Sequence, residues 1–312
     1  MAGWVHGRPR HGTARLVIRH LQMRSPVPTT PVPRAYFIRV SDRTYRPTPH
    51  TSGAWSEAEQ HISPLAGLVV HAIDRLIKDR AVREDRADDR AIGRLSFDIL
   101  GVIGIEDFDI DVAVVRPGRT VELVEATVTS GPRTVLRARA WRLACADTRG
   151  IAGGQPPPIP RRQDLQSWPM TSVWPGGYIE SLDVRRSADS EPGRSTAWVS
   201  TSLELLAGEE TSPLARFVAL VDTANGICVR QPPEEWLFPN VDLTIHLHRQ
   251  PAVGAVGLDT TVVFGPDGHG LTSTVLHDEQ GPVGEAAQIL TIRPRRRAAG
   301  RAMWGMERPA AR

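Results

Sequence analysis

Asp222 is the residue in this chain that most needs a chemical explanation. It closes a run, Leu214 to Val221, that is apolar but for Arg216, and it shares the i, i+4, i+8 stripe with Leu214 and Val218. An ionised Asp on a buried helix costs several kcal/mol unless it is hydrogen-bonded, so Asp222 either has dedicated partners or points into a wet cleft. In a cleft it would act as a base on water. Two amides fall where they could take part in the same chemistry. Asn240 opens the next strand, and Gln288 interrupts an apolar strand between Ala287 and Ile289. An amide both donates and accepts, so each could hold a carboxylate or a water. Each also has a plain structural reading: Asp222 bonding nearby backbone, Asn240 capping a strand start, Gln288 a satisfied core amide. Their occurrence together in one half of the chain favours chemistry.

Other nucleophile and metal patterns are weaker. Cys228 follows the Asp222 segment at once, but neither it nor Cys145 belongs to a CxxC pair. Ser200 and Ser202 lack the Gly-x-Ser-x-Gly elbow of a serine hydrolase. His246 and His248 with Asp242 alternate along a strand with no evident third ligand, which suits an exposed polar face better than a metal. No metal or cofactor is expected.

The helix that carries Asp222 is expected from Ser212 to Gly226, with Ser212 as N-cap, Pro213 in the first turn and Gly226 as the stop. Its opening recurs 149 residues earlier as Ser63-Pro64-Leu65-Ala66, with Val69 matching Val218, which reads as an internal duplication. The first helix should run from Pro64 to about Lys78, and the mixed-charge stretch 79–90 should be its solvated end and a loop. Strand-like alternation follows at 95–100, 108–115, 121–128 and 134–143, and in the second half at 178–185, 195–205, 240–249, 258–264, 271–277 and 286–293. Strict alternation sets Asn240 on the face opposite Leu243 and Ile245, so Asn240 reaches Asp222 only if it lies ahead of regular pairing. Pro239 provides that break. The position matching Asp222 in the first helix is Ile73, with Asp74 beside it, so the first half should be structural and line the substrate channel.

With 312 residues, 40% of them hydrophobic, the chain can hold two cores. The organisation expected is an N-terminal extension 1–34, a domain 35–149, a Pro/Gly-rich linker 150–174, a second domain 175–294 and a basic tail 295–312. The net charge of +3 is almost all arginine and is dispersed, with clusters only at Arg161-Arg162 and Arg295 to Arg297, so no nucleic-acid partner is expected. No segment approaches the roughly 20 apolar residues of a membrane span, and two unpaired cysteines suit a cytoplasmic protein.

One long helix wrapped by an antiparallel sheet, present twice, is the plan of the double hotdog fold, an α+β architecture of two fused hotdog domains. The second half resembles the bacterial type II acyl-CoA thioesterases in the helix ending Leu220-Val221-Asp222, in Asp242 followed by His248-Arg249, and in the late Gln288. The first half joins the likeness through Ser63 to Ile73 and Val115-Arg116-Pro117-Gly118, so that it spans about residues 36–294. The resemblance implies hydrolysis of acyl-CoA by water held and activated by Asp222, Asn240 and Gln288, with Asn240 standing where the family has a hydroxyl residue. Gly67 and Asp242 are candidate substrate-binding residues, and backbone N–H groups at the heads Ser63-Pro64 and Ser212-Pro213 are candidate oxyanion donors. A non-catalytic acyl-thioester-binding protein of the same fold is the alternative. A hotdog hydratase is disfavoured because no adjacent Asp/His pair of the kind that would protonate and deprotonate across a double bond is evident. A monomer and a homodimer both stay open.

Overall fold

The computed structural model describes residues 32–295 except Arg86, together with Met1 and Gly3. The expected N-terminal extension and basic tail therefore lie, but for Met1, Gly3, Val32 to Arg34 and Arg295, outside the described residues.

The first half consists of β1 (Ala35–Arg39), β2 (Thr44–Pro47), α1 (Ile62–Glu84), β3 (Arg90–Ile99), β4 (Phe108–Arg116), β5 (Val121–Ser130) and β6 (Arg133–Ala144). The second has β7 (Gln166–Ser167), α2 (Gly177–Glu180), β8 (Leu182–Arg186), β9 (Arg194–Thr201), β10 (Glu204–Leu206), α3 (Pro213–Val221) and α4 (Ala224–Ile227). It ends with β11 (Trp236–Leu237), β12 (Asp242–Leu247), β13 (Val256–Phe264), β14 (His269–Asp278), β15 (Gly281–Thr291) and β16 (Arg293–Pro294). Fourteen strands form one sheet in the order β10-β1-β2-β4-β5-β6-β3-β12-β15-β14-β13-β9-β8-β7, while β11 and β16 pair separately. Read outward from the central β3–β12 pair, both halves repeat one order, which is the double hotdog plan.

Alternation decides which face meets the helices. Along β5 the odd positions are only partly buried, whereas Glu122, Val124, Ala126, Val128 and Ser130 point inward. At the join, Phe97 of β3 pairs with Leu243 of β12, and both are buried under the helices. Inside, α1 and α3 run antiparallel. His61 at the head of α1 lies by Asp222 at the end of α3, and Asp74, farther along α1, accepts from Ser212 at the head of α3. They touch midway at Gly67, where an added Cβ would stand 2.5 Å from Ala215 O and 2.6 Å from Ala219 Cβ.

Several expected boundaries change, each for a local reason. The first helix starts at Ile62 with His61 as N-cap, and it continues through the charged stretch to Glu84 before Asp85 closes it in the left-handed region (φ 46°). Its extension is anchored from another strand: Arg80 donates to Glu122 at 2.8 and 3.0 Å, and Glu122 also binds Arg90 and Arg142. The second helix stops at Val221, and Gly226 lies inside α4 rather than ending a helix. A Cβ at Gly226 would sit 2.7 Å from Met170 Cε, so this glycine serves close packing. Tyr178 belongs to the short α2 instead of a strand, and 195–205 divides into β9 and β10. β10 crosses to the other half and pairs in parallel with β1. The passage expected as a linker is partly built in. Pro160 O accepts from Trp198 Nε1 at 2.8 Å, and Met170 and Trp174 are buried. No helix among the described residues is long and apolar enough to cross a membrane.

Candidate active site

Asp222 sits at the C-cap of α3, 5% exposed, where the chain turns into α4. Its Oδ1 accepts from Asn240 Nδ2 at 2.8 Å and from Gln288 Nε2 at 2.7 Å. The break expected at Pro239 explains how Asn240 arrives: regular pairing of β12 begins at Asp242, and Asn240 makes only an isolated bridge to Leu290. Gln288 reaches the same oxygen from β15, on whose inward face it lies between Ala286 and Leu290. The structure therefore brings to Asp222 two residues that are 18 and 66 positions away from it in sequence.

The other carboxylate oxygen, Oδ2, faces His61 Nδ1 across 3.8 Å. That nitrogen already accepts from Ser63 N–H at 3.1 Å, as the N-cap of α1. The imidazole stacks on Tyr178, with centroids 4.3 Å apart and planes tilted by 30°. The Tyr178 hydroxyl donates to Ala219 O at 3.1 Å and lies 2.7 Å from Thr223 Oγ1, on residues to either side of Asp222. Burial pushes the His61 ring down to about 3, so it is neutral. Burial pushes the Asp222 carboxyl up to about 7, against the Asn240 and Gln288 hydrogen bonds and with help from the nearby charge of Asp242. A base poised near neutrality can both take and return a proton.

These groups open on a cleft of about 450 Å³ whose lining includes His61, Asp222, Asn225 and Asn240. Trp55, Ile99, Ile103, Met170 and Trp174 give it apolar walls, and the exposed Arg293 also borders it. The aromatics brace one another: Trp55 meets Trp174 at 4.9 Å and Phe238 at 5.1 Å, both edge to face. Asn225 donates to Phe238 O at 3.1 Å, while its own Oδ1 is buried with no partner among the described residues.

The remaining candidates lie elsewhere. Gly67 does not line the cleft; it is the contact that lets α1 and α3 approach. Asp242 does not line it either. Its Oδ1 accepts from Ile289 N–H at 2.7 Å and its carbonyl from Asn240 Nδ2 at 3.0 Å, so it braces Asn240. At the α1 head, Ser63 N–H is taken by His61 and Pro64 has no N–H, which leaves neither as an oxyanion donor. The Ser212 head is tied to Asp74. Cys228 is fully buried with Val262 and Leu290, and burial pushes its thiol up to about 11, unsuited to a thiolate nucleophile. His246 is exposed, and His248 Nε2 lies 3.1 Å from Pro282 O. Among the described residues no group of three ligands could hold a metal ion.

His61, Trp55, Trp174 and Asn225 escaped the sequence reading. Ser63-Pro64 is the stronger cap signal, and it draws attention away from a histidine two residues upstream.

Two family descriptions match the chain in order: an acyl-CoA thioesterase N-terminal domain over residues 51–143 and an acyl-CoA thioesterase C-terminal domain over residues 155–292. None of the curated proteins compared matches it. Among solved structures, a protein of unknown function with a hot dog fold from Alicyclobacillus acidocaldarius superposes with a TM-score of 0.62 at 13% identity, covering 82% of this chain and 95% of that one. The tesB protein of Mycobacterium avium subs paratuberculosis gives 0.59 at 14% identity, over 83% and 96% of the two chains. A Thermobifida fusca YX protein described provisionally as a thioesterase II gives 0.58 at 21%, over 82% and 94%. At these identities the likeness is one of fold. With both family domains matched in order across most of its length, the chain belongs to the acyl-CoA thioesterase family, as a thioester hydrolase of double hotdog fold.

Proposed function

We propose that the protein hydrolyses acyl-CoA to CoA and a free carboxylic acid, with Asp222 as the general base and Asn240 and Gln288 as the amides that position it. The observation that supports this most is the division of the Asp222 carboxylate. Oδ1 takes both amide donors, and Oδ2 faces the cleft wall at His61 with no hydrogen bond among the described residues. A water donating to Oδ2 has a lone pair free for the thioester carbonyl carbon. As the new C–O bond forms, Asp222 takes the water's proton; as the C–S bond breaks, the departing thiolate takes it back. Asn240 stands where a hydroxyl is expected, and the reading that it positions the base is supported by its Nδ2, which donates to Asp222, and by its backbone, which bridges to β15.

The apolar walls suit an acyl chain, and Arg293 supplies a cation on the same lining for CoA phosphates. The test is CoA release from short, medium and long acyl-CoAs by wild type and Asp222→Asn side by side. The expected outcome is turnover of some chain length by wild type and its loss in the variant. Equal rates in the two proteins would remove Asp222 from the reaction. Acyl-CoA that raises the melting temperature without any CoA release by wild type would leave a binding protein.

A further inference from the structure

A base does only half of a thioester hydrolysis. Negative charge gathers on the carbonyl oxygen as water adds, and the site needs donors aimed there. At the head of α1 two backbone positions cannot supply them, since Ser63 N–H is bound to His61 and Pro64 has no N–H. The His61 side chain stands at that head, on the cleft lining, beside Asp222.

We propose that His61 is a further catalytic residue, whose Nε2–H donates to the thioester carbonyl oxygen and holds the oxyanion while Asp222 takes the proton of the attacking water. The inference rests on the reading of Asp222 as the base. Three features carry it. First, the tautomer is set by the fold: Nδ1 accepts a backbone N–H, so it bears the lone pair and the neutral ring carries its proton on Nε2. Among the described residues Nε2 has no hydrogen-bond partner. Second, the ring plane is fixed by the stack on Tyr178, whose hydroxyl is tied to Ala219 and Thr223 on either side of Asp222. Base and donor thus share one rigid support. Third, the ring stays neutral, because burial and the positive end of α1 both oppose its protonation. A neutral imidazole can stabilise an oxyanion without giving its proton away.

The step balances on the atoms named. The water O–H bond breaks toward Asp222 Oδ2, the C–O bond forms, and the carbonyl π pair moves onto oxygen, where Nε2–H holds it. Collapse restores the carbonyl and breaks the C–S bond, and the thiolate is protonated from Asp222. His61 begins and ends neutral.

The test uses His61→Asn and His61→Ser, both of which keep a capping oxygen for Ser63 N–H but are too short to carry a donor out to the place of Nε2–H. Two ligands read the oxygen directly: the trifluoromethyl ketone analogue of octanoyl-CoA, whose hydrate or alkoxide resembles the tetrahedral intermediate, and the S-octyl-CoA thioether, which has no carbonyl. The expected result is a fall of about 10² to 10³ in kcat in both variants. Ketone affinity should weaken by a similar factor, with thioether affinity and melting temperature close to wild type. An unchanged ketone-to-thioether affinity ratio in both variants would overturn the assignment. This ratio needs no turnover, so it decides His61 even if the wild type released no CoA, a result that would instead overturn the Asp222 reading.

Discussion

Asp222 and Asp74 occupy comparable places at opposite ends of the α1/α3 pair. Because the helices are antiparallel, each carboxylate meets the head of the other helix, and burial raises both above the ordinary Asp value. Asp74 meets Ser212, whose hydroxyl donates to it at 2.6 Å while accepting from Ala215 N–H at 3.1 Å. That carboxylate is consumed by the cap. Asp222 meets His61, whose facing nitrogen is an acceptor and has no proton to offer the carboxylate. The gap stays at 3.8 Å, and two amides hold Asp222 from behind. The capping residue across the gap, a donor in one case and an acceptor in the other, separates the carboxylate closed off by its cap from the one we propose as the base.

The largest expected contrast is in turnover. Asp222→Asn should lower kcat by about 10² to 10⁴, the usual worth of a positioned base, whereas Asp74→Asn should leave kcat unchanged and lower only the melting temperature. Similar kinetic losses in the two variants would erase the distinction between the ends. Next in size is the ion network of the first half. Burial alone would raise Glu122, but Arg80 and Arg142 outweigh it and leave it lowered, and Asp88 is lowered chiefly by Arg90. Glu122→Ala leaves Arg80, Arg90 and Arg142 to share Asp88 as their one remaining carboxylate of this network and should cost about 3–5 kcal/mol in denaturant titration, with kcat preserved in the folded fraction. Because these carboxylates titrate lower when folded, their stabilisation is full above about pH 4–5 and fades as the pH falls.

Asp222 should show the opposite sign. Its folded value near 7 lies above its unfolded value, so the folded state holds the extra proton and stability falls as pH rises from about 4 to 7. Turnover, which needs the ionised form, should rise through pH 7 over the window in which stability has been falling. In Asp222→Asn that segment of the stability profile should flatten; a profile identical to wild type would contradict the assignment. The smallest effect expected is at the helix crossing. Gly67→Ala forces a Cβ against Ala215 O and Ala219 Cβ and should cost about 1–3 kcal/mol by thermal unfolding. With the helices moved apart, it should also slow turnover without changing the pH at which activity appears.

Much of the plan was legible in the chain. The repeated Ser-Pro-Leu-Ala heads announced two equivalent helices, and polar residues set into apolar surroundings marked Asp222, Asn240 and Gln288, which do meet. What escaped depends on partners distant in sequence. Glu122 extends α1 from a strand 42 residues beyond Arg80, and β10 leaves its own half to pair with β1. The end of α3 at Val221 was hidden because the chain turns there without a breaker residue: Asp222 (φ −65°, ψ −9°) and Thr223 (φ −64°, ψ −18°) keep helical φ and shift only in ψ. Gly67 shows the reverse failure. A glycine in a helix invites a ligand-binding reading, but here the close neighbour is another helix.

The β3–β12 pairing has a consequence for how the activity should scale. Asp222 comes from one half and His61 from the other, and a continuous sheet within a single polypeptide holds the halves together. Two separate chains would have to find each other by collision and would part on dilution. Tethered in this way, the two sides of the cleft meet at an effective concentration set by the covalent connection. Specific activity should accordingly hold constant as the protein is diluted.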